Sequence, residues 1–208
     1  EAQAVYAADA ATMRQRLSSA KPAPLEASPL PERPVALTGG EAPTLERVEA
    51  GVHVFRTASG VPILVKQRQG APITHAGVFA LGGPSTETIE IGGRTLLMAR
   101  TAIKGTERRS AVQIAEDGEM LGGSVGVSVG GDSVGWTISV PSAHTTAGLE
   151  LLADVAQRPV FDAAALETER TIALADLASL HDDMYRYPMR LATQAAFAGH
   201  SYGVPALG

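Results

Sequence analysis

The 208-residue sequence has no cysteine, which excludes disulfides and thiolate metal sites. This absence fits a reducing cytosol or a bacterial periplasm, and of the two we favour the periplasm. No apolar run approaches the roughly 20 residues that a membrane-spanning helix needs. The net charge of −5 argues against the basic surface typical of nucleic-acid-binding proteins. We therefore expect neither a membrane span nor a nucleic-acid partner.

The composition that remains is that of a globular protein, with 45% hydrophobic and 19% charged residues. Residues 1–20 are rich in alanine and predict an amphipathic helix, which we expect to belong to a preceding domain. Residues 21–44 contain many prolines without periodicity and predict an extended linker. An ordinary disordered tail is an equally open interpretation of this end. The main domain is expected at residues 45–208, and the whole chain is expected to be part of a longer protein.

Alternating β-branched and polar residues predict strands over residues 52–57, 61–67 and 75–81. Valines alternate over residues 125–129, and Val134, Trp136, Ile138 and Val140 alternate after a Gly-Gly-Asp turn at 130–132, which predicts a hairpin. Helices are predicted over 92–106, from Ser110 to the glycines at 122–123, over 141–157, over 163–180, and from Pro188 towards Phe197. This order predicts an α+β fold, with helices covering a mainly antiparallel sheet.

The helix at 92–106 ends in Lys-Gly-Thr, and this stretch resembles the M16 family of insulinase, pitrilysin and processing peptidases. Active members carry an inverted zinc motif, His-x-x-Glu-His, in this helix. When the sequences are aligned on Lys-Gly-Thr, the two histidines fall on Leu96 and Arg100, and the glutamate falls on Ala99. The resemblance implies a degenerate motif, because all three positions are replaced.

The replacements are incompatible with catalytic zinc, which needs three side-chain ligands and an open position for water. Leu96 has no lone pair, and Arg100 is a permanent cation that would repel a metal ion. Ala99 lacks the carboxylate that would take a proton from the water. Alternatively, Leu96 is an ordinary core residue and Arg100 a surface or ion-paired residue. Either way, we expect no metal ligand and no cofactor in this domain.

Further segments extend the resemblance over residues 51–208, which would be the first half of one M16 homology unit. Gly82-Gly83 with Glu87, Leu121-Gly122-Gly123 and Phe197 to Gly203 resemble family segments in the same order. The third zinc ligand of the family falls on Asp176, and a retained glutamate precedes it at Glu169. These carboxylates are expected to be surface residues or ion-pair partners rather than a remnant metal site. The resemblance places Arg100 near one of them.

The resemblance implies a function as the catalytically inactive half of a zinc peptidase, shaping a peptide chamber with a homologous active M16 domain or subunit. Zinc is expected only in that partner, and the substrate would be an unfolded peptide. An active metalloendopeptidase with atypical ligands and a purely structural scaffold subunit are the alternatives. In active members substrate pairs with the edge strand after Leu-Gly-Gly. Here that strand comprises Val125, Gly126, Val127, Ser128 and Val129. A bulge or close packing at Gly126 is the alternative explanation of its glycine.

Overall fold

A computed structural model describes residues 40–70 and 72–208, and every element below lies within the unit Pro43–Gly208. The helix predicted at 1–20 and almost all of the linker predicted at 21–44 lie outside the described residues. Among the residues described, no helix is both long and apolar enough to cross a membrane.

A small antiparallel sheet opens this unit, with strands β1 (Thr44–Glu49), β2 (Val52–Arg56) and β3 (Pro62–Val65) side by side in chain order. Strands β2 and β3 were predicted, although β3 ends two residues earlier than expected. The sequence did not predict β1, and Thr44 begins that strand although it falls in the predicted linker. Its apolar residues Leu45 and Val48 are three positions apart, so the strand lacks the period-two alternation that would have revealed it, and all six of its residues are exposed.

The second sheet carries the candidate site. It contains β4 (Ile73–Leu81), β5 (Ser124–Val129) and β6 (Ser133–Pro141), all antiparallel, in the order β4-β6-β5. The predicted hairpin is therefore the pair β5–β6, in which Val127 lies opposite Trp136 and Ser128 opposite Gly135. Strand β5 pairs on one side with β6, and no other described strand pairs with its second side.

Within the described part of the chain, five α-helices follow the predicted order, with bounds that differ by a few residues from the prediction. They are α1 (Arg94–Ala102), α2 (Ala111–Met120), α3 (Thr145–Gln157), α4 (Ala163–Leu180) and α5 (Arg186–Ala196). Ser110 caps α2 in a reciprocal capping box with Gln113, and the Asp162 carboxylate caps α4. Helix α5 begins two residues before Pro188. Proline is tolerated there because the first-turn N–H groups have no partner within the helix.

The core lies where α2 and α3 cover one face of the second sheet. Its buried members are aliphatic: Ile114, Leu121, Ile138, Val140, Leu151, Leu152 and Val155. Trp136 and Val125 pack partly buried against this cluster. The α+β class predicted from the sequence is confirmed. The central helix α1 packs against strands β5 and β6 of the second sheet.

Candidate functional site

Helix α1 carries the degenerate motif, and a buried carboxylate fixes its beginning. Glu87 is 2% exposed and accepts hydrogen bonds from the backbone N–H groups of Gly93 and Thr95. Gly93 adopts a left-handed conformation with φ of 89°. A carboxylate at this end satisfies free N–H groups and interacts favourably with the helix dipole. The sequence singled out Glu87 by resemblance alone, and its capping role emerges only from the fold.

The motif positions differ in their surroundings, and Ala99 is the one that lies against the sheet. Ala99 is fully buried, and its carbonyl oxygen accepts a hydrogen bond of 3.0 Å from Trp136 Nε1. Leu96 and Arg100 are half-buried. The small side chain of Ala99 thus lets α1 pack closely against the sheet.

Arg100 forms an ion pair with Asp176 of α4, which is one of the two carboxylates near which the resemblance placed it. Its Nη1 lies 2.8 Å from Asp176 Oδ2, and the two side chains are 29% and 42% exposed. The pair joins two positions that resemble zinc-ligand positions of active family members. A guanidinium therefore supplies positive charge to the carboxylate.

A second ion pair, which the sequence analysis missed, runs parallel to the first. Lys104 Nζ lies 2.9 Å from Glu169 Oε1, and the Glu169 side chain is only 5% exposed. Arg100 and Lys104 are four residues apart, and Glu169 and Asp176 are seven apart on α4, so each set shares one side of its segment. The two ion pairs together connect the α1 segment to α4.

The residues at this site do not fit a zinc ion. Leucine, alanine and arginine stand at three of the motif positions, and both remaining carboxylates are paired with cations. Zinc sites require three or four donors of the His, Cys, Asp or Glu type. Across residues 40–70 and 72–208, no group of three such side chains is arranged to hold a metal ion.

A buried polar network, also missed by the sequence analysis, fixes the Lys-Gly-Thr segment beneath α1. Asp154 is 2% exposed and accepts hydrogen bonds from Thr106 Oγ1 and Arg109 Nη1. Arg109 Nε also lies 2.8 Å from Asp117 Oδ2. Burial opposes ionisation of Asp154, but the bonds from Thr106 and Arg109 outweigh it and hold its pKa below the ordinary value. The network ties this segment to α2 and α3.

Strand β5 presents two different faces. Val125 and Val127 lie opposite Ile138 and Trp136 in the pairing with β6, and Val125 packs against the core. Gly126 lies on the other face, opposite Thr137, where an added Cβ would come 3.2 Å from Thr137 Oγ1. The valine face is therefore directed towards the core, and the opposite face is formed by small residues.

Comparison with known proteins identifies the family. The model of the insulinase family, peptidase family M16, matches residues 63–208. The chain belongs to this family, in agreement with the resemblance found in the sequence.

Relatives and solved structures agree with this assignment. An uncharacterized zinc protease, YmxG of Bacillus subtilis, is 27% identical over 154 residues, covering 74% of this chain and 38% of that protein. A probable mitochondrial-processing peptidase subunit alpha-2 of Arabidopsis thaliana is 25% identical over 158 residues, covering 75% of this chain and 32% of that protein. A peptidase M16 inactive domain from Pseudomonas fluorescens has the same fold, with a TM-score of 0.68 and 21% identity, over 76% of this chain and 38% of that one. The chain thus spans less than half the length of these proteins.

Proposed function

We propose that this domain is the non-catalytic half of a zinc-dependent M16 peptidase, and that it forms a peptide-binding chamber together with a homologous active M16 domain or subunit. The observation that carries the proposal is the ion pair between Arg100 and Asp176. A cation and its counter-ion stand where the resemblance places two ligands of a catalytic metal. Zinc, and the water it activates, would belong to the active partner alone.

The relatives support a paired arrangement. They include proteins named as alpha-2 and beta subunits of mitochondrial-processing peptidase, and a structural neighbour is named an inactive domain. These names describe those proteins. For this chain they favour a division of labour in which one M16 half hydrolyses peptide and the other helps to hold it.

The side of β5 with which no described strand pairs is the surface that we propose holds peptide. An exposed strand edge offers unpaired N–H and C=O groups, to which an extended peptide can add as a further strand. Such pairing depends on the backbone rather than on zinc ligands, so it survives loss of the motif. The residues concerned are Val125, Gly126, Val127, Ser128 and Val129. The small residues on the outer face leave space for side chains of the peptide.

The test uses an unfolded, dye-labelled peptide titrated against the full-length protein and followed by fluorescence anisotropy. Two further peptides have the same sequence and carry N-methyl groups on alternate residues. One is methylated at the odd-numbered positions and the other at the even-numbered positions. Successive N–H groups of a strand point to opposite sides, so only one of the two registers removes the donors that face β5. We expect one N-methylated peptide to bind as well as the parent and the other to bind at least tenfold more weakly.

Equal binding of both N-methylated peptides, or no binding of the parent, would contradict the proposed edge. Mass spectrometry of the peptide after incubation tests the other half of the proposal. Cleavage should require the intact His-x-x-Glu-His motif of the active M16 half. Cleavage that persists when that motif is removed would assign hydrolysis to this domain.

A further inference from the structure

The turn that ends β5 is held by a loop from elsewhere in the chain. This turn, residues 130–132, links β5 to β6. The backbone N–H of Gly82 donates to Asp132 O at 2.9 Å, and that of Ser85 donates to Gly131 O at the same distance. Both donors lie in the segment that follows β4. The turn is therefore docked against a neighbouring loop rather than projecting freely.

A side chain from the C-terminal part of the domain adds a further bond. The Tyr202 hydroxyl donates to Asp132 Oδ2 at 2.7 Å, across 70 residues of sequence. The Asp132 carboxylate stabilises the protonated hydroxyl and raises the pKa of Tyr202. This bond links the turn to a short helical turn, Ser201–Gly203, that follows α5.

The Tyr202 side chain is itself held in place. Its ring lies edge-on to the rings of His200 and Phe197, at centroid distances of 4.8 and 5.8 Å. Its backbone N–H donates to His200 Nδ1 at 3.1 Å. A Cβ added to Gly203 would come 2.6 Å from Phe197 O, so the chain doubles back tightly at that point. The hydroxyl thus reaches Asp132 from a preorganised loop.

The valine face of strand β5 and the turn act together on its register. The strand has one strand neighbour among the described residues, half of its residues are glycine or serine, and Val125 packs against the core. A shift of one residue would reverse both faces, and the turn directly adjoins the first pair of the hairpin, Val129 with Val134. Anchoring the turn fixes the position at which pairing with β6 begins.

We propose that Tyr202 is a positioning residue: its hydrogen bond to Asp132 fixes the β5–β6 turn and thereby holds the free edge of β5 in the register that receives peptide. The effect on peptide rests on the function proposed above, whereas the effect on the turn does not. Tyr202 acts through Asp132 and the turn, without contacting peptide itself.

The experiment compares Tyr202→Phe, Asp132→Ala and Asp132→Asn with the parent in the full-length protein, and Tyr185→Phe serves as the matched control. Tyr185 is 80% exposed at the start of α5 and lies outside the turn and its docking loop. Hydrogen exchange of the Gly82 and Ser85 amides reports directly on docking of the turn. Anisotropy titration then gives the affinity for the parent peptide.

We expect Tyr202→Phe and Asp132→Ala to speed exchange at both amides about fivefold, and the double variant to be no faster than either single one. Asp132→Asn keeps an acceptor oxygen and should restore most of the protection. Peptide affinity should fall by about threefold to fivefold in the first two variants and recover in Asp132→Asn, while the thermal midpoint stays within about 3 °C. The control should match the parent throughout.

Unchanged exchange in Tyr202→Phe would overturn the proposal, whatever the peptide data. Faster exchange with unchanged peptide affinity would overturn the positioning role. If the parent protein binds no peptide, the proposed function fails, and exchange alone then decides whether Tyr202 holds the turn.

Discussion

Removing the charge of Lys104 should destabilise the domain more than removing that of Arg100, although both residues pair with a carboxylate of α4. The comparison uses Lys104→Met and Arg100→Met, which keep most of the apolar length of each side chain. The difference arises from the partner that each substitution leaves behind. Glu169 has 5% of its side chain exposed, whereas Asp176 has 42%.

The expected magnitudes follow from this burial. Breaking a fully buried ion pair costs about 3–5 kcal/mol, because a charge is left without compensation. Lys104 is itself 38% exposed, so water can reach the vacated side, and we expect about 2 kcal/mol. The Arg100 pair is open to solvent on both sides and should contribute about 0.2–1 kcal/mol.

The assay is equilibrium urea unfolding at pH 7, with free energies compared at constant m-value. Arg170→Met is the matched control, because its pair with Glu167 has side chains 62% and 66% exposed and should contribute almost nothing. The double variant Lys104→Met with Glu169→Gln should be more stable than Lys104→Met alone, since it removes the buried charge. Equal destabilisation by Lys104→Met and Arg100→Met would refute the reasoning.

Two further predictions concern the packing beneath α1. The lowered pKa of Asp154 means that its charged form contributes stability above the unfolded-state pKa and loses it as pH falls through the folded value. The stability gap between the parent and Asp154→Asn should therefore be constant near neutral pH and shrink below about pH 4, and urea midpoints that show it widening there would contradict this. Trp136→Phe removes the hydrogen bond to the Ala99 carbonyl and should lower the free energy of unfolding by about 1 kcal/mol, whereas a change below the error of calorimetry would show that the bond contributes nothing.

The sequence predicted those features that depend on local pattern. Alternating apolar residues revealed β5 and β6, and Ser110 revealed the start of α2. The family resemblance predicted that Arg100 lies near Asp176 or Glu169, and the fold pairs it with Asp176 across 76 residues.

Features that depend on tertiary contact escaped prediction. Lys104 and Glu169 carry no local sign of their pairing, and Asp154 looks like any polar residue of an amphipathic helix until its burial is known. Strand β1 has its two apolar residues, Leu45 and Val48, three positions apart, so no period-two pattern distinguished it from a loop. Charges meet across elements only after the core has set the distances between them, which explains these omissions.

The most direct test of a non-catalytic role is to measure zinc while altering the carboxylate at the third ligand position. Inductively coupled plasma mass spectrometry gives zinc per chain for the full-length protein and for its Asp176→Ala variant, and hydrolysis of an unfolded peptide is followed in parallel. We predict that the substitution changes neither the zinc content nor the rate of hydrolysis, because the proposed function assigns any zinc to the active partner half. Loss of about one zinc per chain, together with loss of hydrolysis, would contradict the account and place a catalytic metal in this domain.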